Sequence, residues 1–154
     1  NLAAGQTVNC FIGNQLKTPA ATISKTNDVS GDLSPGDSVG YKIKVVISDN
    51  DIKNLKVNDL LSNGFTYRQG TYHVSVDGTD VTTQIAEPVY HSPGQWDLSP
   101  LGNLHIGDTI ELSYLADISS DQLPGNYTDL AYAYGQAAYG DNDIVYADAD
   151  ENLK

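Results

Sequence analysis

Three stretches of this chain change polarity at every step, and a period of two restricts them to strands with one face buried. In residues 41–47, Tyr41, Ile43, Val45 and Ile47 share one side while Lys42 and Lys44 take the other. Residues 109–118 repeat the pattern, with Ile110, Leu112, Tyr114 and Ala116 set against Glu111 and Ser113. The third stretch, residues 127–134, places Tyr127, Asp129, Ala131 and Ala133 on one face and Thr128, Leu130, Tyr132 and Tyr134 on the other. If the alanine face is the inner one, a carboxylate lies beside two small side chains, with room for a long side chain to reach it from another strand.

Shorter patterns fill the rest. Ala21, Ile23 and Lys25 share a parity, as do Leu55, Val57 and Asp59, so Lys25 and Asp59 both stand where an apolar residue is expected. Further strand signals occur at Phe65-Thr66-Tyr67, Tyr72-His73-Val74-Ser75-Val76, Val89-Tyr90 and Trp96-Asp97-Leu98. Ser34-Pro35-Gly36-Asp37, Asp77-Gly78, Pro93-Gly94 and Pro124-Gly125 are turn signals between them. Sustained helical periodicity and helix caps are missing. About nine or ten short strands separated by turns predict an all-β, immunoglobulin-like antiparallel β-sandwich, with a closed barrel as the arrangement that periodicity alone leaves open.

A length of 154 residues suits one domain with a full core plus a fragment of a neighbour. The expected division is 1–18 as the closing strand of a preceding repeat or an added edge strand, 19–136 as the sandwich, and 137–154 as an acidic strand or linker toward a following repeat. Twenty acidic residues against 8 basic ones give a formal net charge of −12, which disfavours nucleic acid and anionic membrane as partners. No apolar run reaches the roughly 20 residues of a membrane span, and no secretory leader opens the chain, which reads as a section of something longer. The single cysteine, Cys10, rules out an internal disulfide and reads as a small buried apolar residue.

The ordered set Lys25, Leu33-Ser34-Pro35-Gly36-Asp37, Tyr41-Lys42-Ile43, Leu55-Lys56-Val57-Asn58-Asp59-Leu60-Leu61, Gly64-Phe65-Thr66-Tyr67, Trp96-Asp97-Leu98, Gly107-Asp108-Thr109 and Gly125-Asn126-Tyr127-Thr128-Asp129-Leu130-Ala131 resembles a bacterial surface-protein repeat, the domain of unknown function 11. The resemblance covers about residues 20–135. That repeat is similar in turn to collagen-adhesin-type sandwiches, in which a lysine on an early strand and an asparagine on the last strand form an intramolecular isopeptide bond assisted by a buried aspartate. The resemblance implies Lys25 and Asp129 as the crosslinked pair and Asp59 as the assisting acid. Asp129 stands where the adhesin type usually carries asparagine, so the bond here would expel water instead of ammonia.

Amide formation requires a neutral amine and a protonated carboxyl, whereas free lysine titrates near ~10.4 and aspartate near ~3.9. Burial favours both neutral forms, and two carboxyls converging on one lysine can share a proton. Asp59 would then shuttle protons while Lys25 attacks Asp129, once per chain, so the domain is expected not to be an enzyme in the turnover sense. The competing arrangement is a permanent buried ion cluster of the same three residues.

Other sites are weaker. His73, His91 and His105 are far apart and lack a nucleophile motif. Asp141, Asp143, Asp148, Asp150 and Glu151 offer oxygens to calcium, the one cofactor the sequence allows, although their spacing is not that of an EF-hand and a solvated acidic tail is the simpler reading. Trp96 and Tyr134 read as packing residues rather than a carbohydrate platform. The expected function is a structural stalk or spacer module of a bacterial cell-surface or cell-wall protein, extracellular, with neighbouring repeats of the same chain as partners. The alternative is an adhesin module that contacts a host or cell-surface ligand through loops at residues 49–53 or 79–84.

Overall fold

The computed structural model describes residues 20–90, 93–138 and 144–153, with the side chains of residue 20 and of 144–153 left aside. Ten strands are present: β1 Ala20–Asn27, β2 Ser38–Asp49, β3 Ile52–Leu60, β4 Phe65–Tyr67, β5 His73–Val76, β6 Thr79–Asp80, β7 Gly94–Asp97, β8 Thr109–Ile118, β9 Tyr127–Ala137 and β10 Ile144–Leu153. They form two antiparallel sheets, one ordered β1-β2-β8-β5-β6 with β4 also on β8, the other ordered β10-β9-β3-β7. This is the expected immunoglobulin-like sandwich. The edge strands β1 and β10 lie alongside each other.

The alternating stretches supply the core. Tyr41, Ile43, Val45 and Ile47 of β2 and Ile110, Leu112, Tyr114 and Ala116 of β8 are buried from one sheet, facing Leu55, Val57, Trp96, Ala131 and Ala133 from the other. Outward positions such as Lys42 and Lys44 are exposed. Where β3 and β9 pair, the register shifts between Lys53 and Lys56, and Asn54 in the bulge takes φ 54°. Gly135 accommodates that bulge. A Cβ there would lie 2.7 Å from the Ile52 side chain and 3.2 Å from the Lys53 carbonyl oxygen.

Turn chemistry explains the connections. Asp77 and Gly78 both have positive φ between β5 and β6, which is the type I′ geometry that matches strand twist. In the turn that holds Gly36, at φ 89°, the Asp37 amide bonds the Ser34 carbonyl and the Ser34 amide bonds the Asp37 carboxylate. The turn from His105 to Asp108 is closed in the same manner. The stretch expected as a strand at Val89-Tyr90 is not one. Pro88 offers no amide to a ladder, and the segment is a strap with Val89 exposed and Tyr90 turned against Tyr67 and Gly94.

Residues 49–53 and 79–84 differ in form, the second running through β6 and a single 3-10 turn at Thr82–Gln84, with Thr79, Asp80, Thr83 and Gln84 exposed. The first is a two-residue turn, Asn50-Asp51, pinned from the side: His105 Nδ1 lies 2.9 Å from Asp51 Oδ2 and the Ile106 amide donates to Asp51 Oδ1 at 3.1 Å. The Asp51 carboxylate raises the His105 pKa above its ordinary 6.5 and is itself lowered by His105. The stabilisation from protonated His105 is therefore complete below pH ~6.5 and is lost as pH rises through the raised folded value. Proton NMR titration is expected to show His105 titrating above the ordinary histidine value and returning to it in Asp51→Asn. A His105 that titrates identically in both would show that the contact is not populated in solution.

Candidate functional site

Lys25, Asp59 and Asp129 meet in the core. The parity of β1 points Lys25 inward, that of β3 does the same for Asp59, and that of β9 for Asp129. Lys25 is 3% exposed and both aspartates 0%. The Lys25 ammonium nitrogen lies 2.6 Å from Asp59 Oδ1 and 3.8 Å from Asp129 Oδ2. Lys25 thus reaches from the edge strand of one sheet to two neighbouring strands of the other, where Ala131, directly opposite Asp59 in register, leaves the space.

The four carboxylate oxygens differ in their surroundings. Asp59 Oδ1 faces Lys25, and Asp59 Oδ2 accepts the Tyr114 hydroxyl. Asp129 Oδ1 accepts the Ser62 backbone amide at 2.6 Å, and Ser62 Oγ donates to the Thr128 carbonyl at 2.7 Å, tying the end of β3 to β9. Asp129 Oδ2 is buried and has no hydrogen-bond partner among the described residues, and the lysine nitrogen lies 3.8 Å from it. The Lys25 nitrogen also sits 4.2 Å from the centre of the Tyr41 ring, within the range of a cation–π contact.

Electrostatics follow from this enclosure. Burial pushes the Asp59 carboxyl above the usual aspartate range, although the Lys25 charge and the hydrogen bonds from Lys25 and Tyr114 oppose the shift. Burial and the neighbouring Asp59 hold the Tyr114 hydroxyl well above the ordinary tyrosine value, so it remains a donor. Tyr90 is raised for the same two reasons, in that order. Its hydroxyl donates to the Asp59 carbonyl and accepts the Leu61 amide.

All three residues expected from the sequence converge. What the sequence did not mark are Tyr114, Ser62 and Tyr41. Tyr114 and Tyr41 read as two more residues on apolar faces, and the Ser62 contribution is a backbone amide that any residue but proline would supply. Trp96 is fully buried beside Tyr114, while Tyr134 stacks on Tyr132 with the rings 6.5 Å apart. Of the calcium candidates, Asp141 and Asp143 lie outside the described residues, as do Cys10 and His91. Asp148, Asp150 and Glu151 stand on β10, with Glu151 opposite Asp129 in register. Among the described residues no group of three or more His, Cys, Asp and Glu side chains is arranged to hold a metal ion.

The sandwich is shared with bacterial pilins and an adhesin. The major pilin subunit BcpA of Bacillus cereus superimposes with TM-score 0.65 and 17% identity over 86% of this chain and 39% of its own. The major pilin SpaD of Corynebacterium diphtheriae gives TM-score 0.67 and 13% identity over 86% and 34%. The collagen-binding domain of a Staphylococcus aureus adhesin gives 0.51 and 12% over 85% and 95%. The chain therefore spans little more than a third of the length of either pilin. At these identities the likeness is one of fold. No family model and no curated protein sequence matches the chain.

Among the described residues no helix is long and apolar enough to cross a membrane.

Proposed function

We propose that this chain is a structural module of a bacterial surface fibre or adhesin, extracellular and packed beside neighbouring repeats of the same chain, and that it locks itself with one isopeptide bond between Lys25 and Asp129. The shared pilin and adhesin fold supports the structural role. The ordered residues quoted above carry the narrower proposal that it is a repeat of the domain of unknown function 11 type. One observation carries the covalent reading: Asp129 Oδ2, buried and without a hydrogen bond, faces a solvent-free lysine nitrogen that a second carboxyl holds at 2.6 Å.

The reaction uses these groups as they stand. The chemistry requires a neutral amine and a protonated carboxyl: the Lys25 amine in that form attacks Cγ of the Asp129 carboxyl, and a new C–N bond forms. The Ser62 amide holds Oδ1 as charge develops on it, the role of an oxyanion donor. Protonated Asp59 then delivers its proton to the departing Oδ2 hydroxyl and receives one from the lysine nitrogen, so that one water leaves and Asp59 is unchanged. Burial raises the Asp59 pKa, the direction that favours the proton-holding form the relay uses. The bond closes once and there is no turnover.

Intact-mass measurement tests the proposal. The folded chain is expected one water lighter than its sequence, Lys25→Ala and Asp59→Ala at full mass. Asp129→Asn, losing ammonia, is expected to reach the same final mass as the crosslinked parent. A parent chain at its full hydrated mass removes the covalent reading and leaves the buried ion cluster in its place.

A further inference from the structure

We infer that Tyr114 is a positioning residue for the crosslinking reaction, clamping Asp59 in the one orientation that lets it exchange protons between Lys25 and Asp129. The inference rests on the isopeptide reading above. Tyr114 comes from β8, in the sheet opposite Asp59, so its hydrogen bond to Asp59 Oδ2 crosses the core. Its ring has little freedom. Trp96 stacks on it at 5.3 Å and 28°, while Tyr41 and Tyr67 tilt against it at 5.5 Å each. Tyr67 is in turn tied by its hydroxyl to Glu87 at 2.7 Å.

Asp59 is thereby held at two points. Tyr90 fixes its backbone carbonyl at 3.0 Å and Tyr114 fixes Oδ2, which leaves Oδ1 directed at the lysine nitrogen. A carboxylate on a strand can rotate about its terminal torsion, a soft two-fold motion that would exchange the two oxygens. With Oδ2 tied down, Oδ1 is the oxygen that meets the Lys25 nitrogen, which itself lies 3.8 Å from Asp129 Oδ2. A hydroxyl that only satisfied a buried acid would not need a ring packed on three sides by aromatics. Preorganisation of this kind is what separates a fast proton relay from a slow one.

The titratable groups acting on Asp59 among the described residues are Lys25 from β1, Tyr114 from β8, Asp129 from β9 and Tyr90 from the strap, with Tyr41 from β2 against Lys25 and Tyr114. Tyr114 is one of the groups that favour the ionised acid, so deleting its hydroxyl lets Asp59 hold its proton to higher pH. The test is Tyr114→Phe, which removes one oxygen and keeps the ring stack. Full chain collected unfolded in denaturant is diluted into buffers across a pH series, and water loss is followed by intact mass with time. The parent is expected to crosslink with an alkaline limb set by Asp59. Tyr114→Phe is expected to refold with the same circular dichroism, crosslink at least roughly tenfold more slowly at the plateau, and show that limb at higher pH. A plateau rate equal to the parent's overturns the inference and leaves the isopeptide reading intact. Parent chain that never loses water overturns both.

Discussion

Replacing Lys25 by methionine is expected to lower stability more than any other single change in this protein. Methionine fills much of the lysine volume, so packing is largely kept and the effect isolates chemistry. Two losses coincide. The covalent bond would close a loop of about 105 residues, whose removal costs about 4 to 5 kcal/mol by the chain-entropy relation used for disulfides. In addition, Asp59 and Asp129 are left buried without a cation, and breaking a buried ion pair from one side costs roughly 3 to 5 kcal/mol. The two share residues and do not simply add. A loss exceeding either alone corresponds to a melting temperature lower by roughly 10 to 20 °C or more.

The triple variant Lys25→Met, Asp59→Val, Asp129→Val separates them. It removes the bond and the stranded carboxyls together, and branched apolar side chains suit these strand positions. Calorimetry is expected to show the triple variant melting above the single one while staying below the parent, the remaining gap being the crosslink. A triple variant equal to the parent would mean that no covalent constraint was present to lose.

How much of this could be read from residues alone depends on whether a signal was repeated. Parity is repeated along each strand, and for that reason it places Lys25, Asp59 and Asp129 inward from sequence alone: each interrupts an otherwise apolar face by one position. The turns at Ser34-Pro35-Gly36-Asp37 and Asp77-Gly78 were legible because positive φ selects glycine, and both carry it where the backbone needs it. Val89-Tyr90 misled because two β-prone residues in a row look the same in a strand and in a strap; the deciding fact, that Tyr90 stacks on Tyr67 with its hydroxyl bridging Asp59 and Leu61, is tertiary. The acidic end was read as a short strand within a solvated tail. Its strand, β10, runs along β9 from Ile144 opposite Gln136 to Leu153 opposite Tyr127, longer than the sequence pattern marks. Tyr114 was hidden because it fits its apolar face so well that nothing pointed to its hydroxyl.

Mechanical extension is where the crosslink should matter most. A pulling force applied through the two ends enters at β1 and leaves through β9 and β10. In a sandwich held by hydrogen bonds alone, β1 peels from β2, β10 from β9, and the whole core then unravels. With Lys25 joined to Asp129, tension passes from β1 to β9 through one amide, and β2 to β8 never bear load. Single-molecule extension of the parent chain is expected to release only the segments outside that bond. Lys25→Met is expected to release in addition the stretch between the two residues (129 − 25 = 104 residues), roughly 350 Å at the reach of an extended chain. The difference between the two contour lengths is independent of loading rate, unlike the unfolding force, so it reports the bond and not the strength of the fold. Equal contour lengths in parent and variant would show that the strands are held without a covalent link, and any stiffness would then have to come from the ion cluster and the aromatic packing around it.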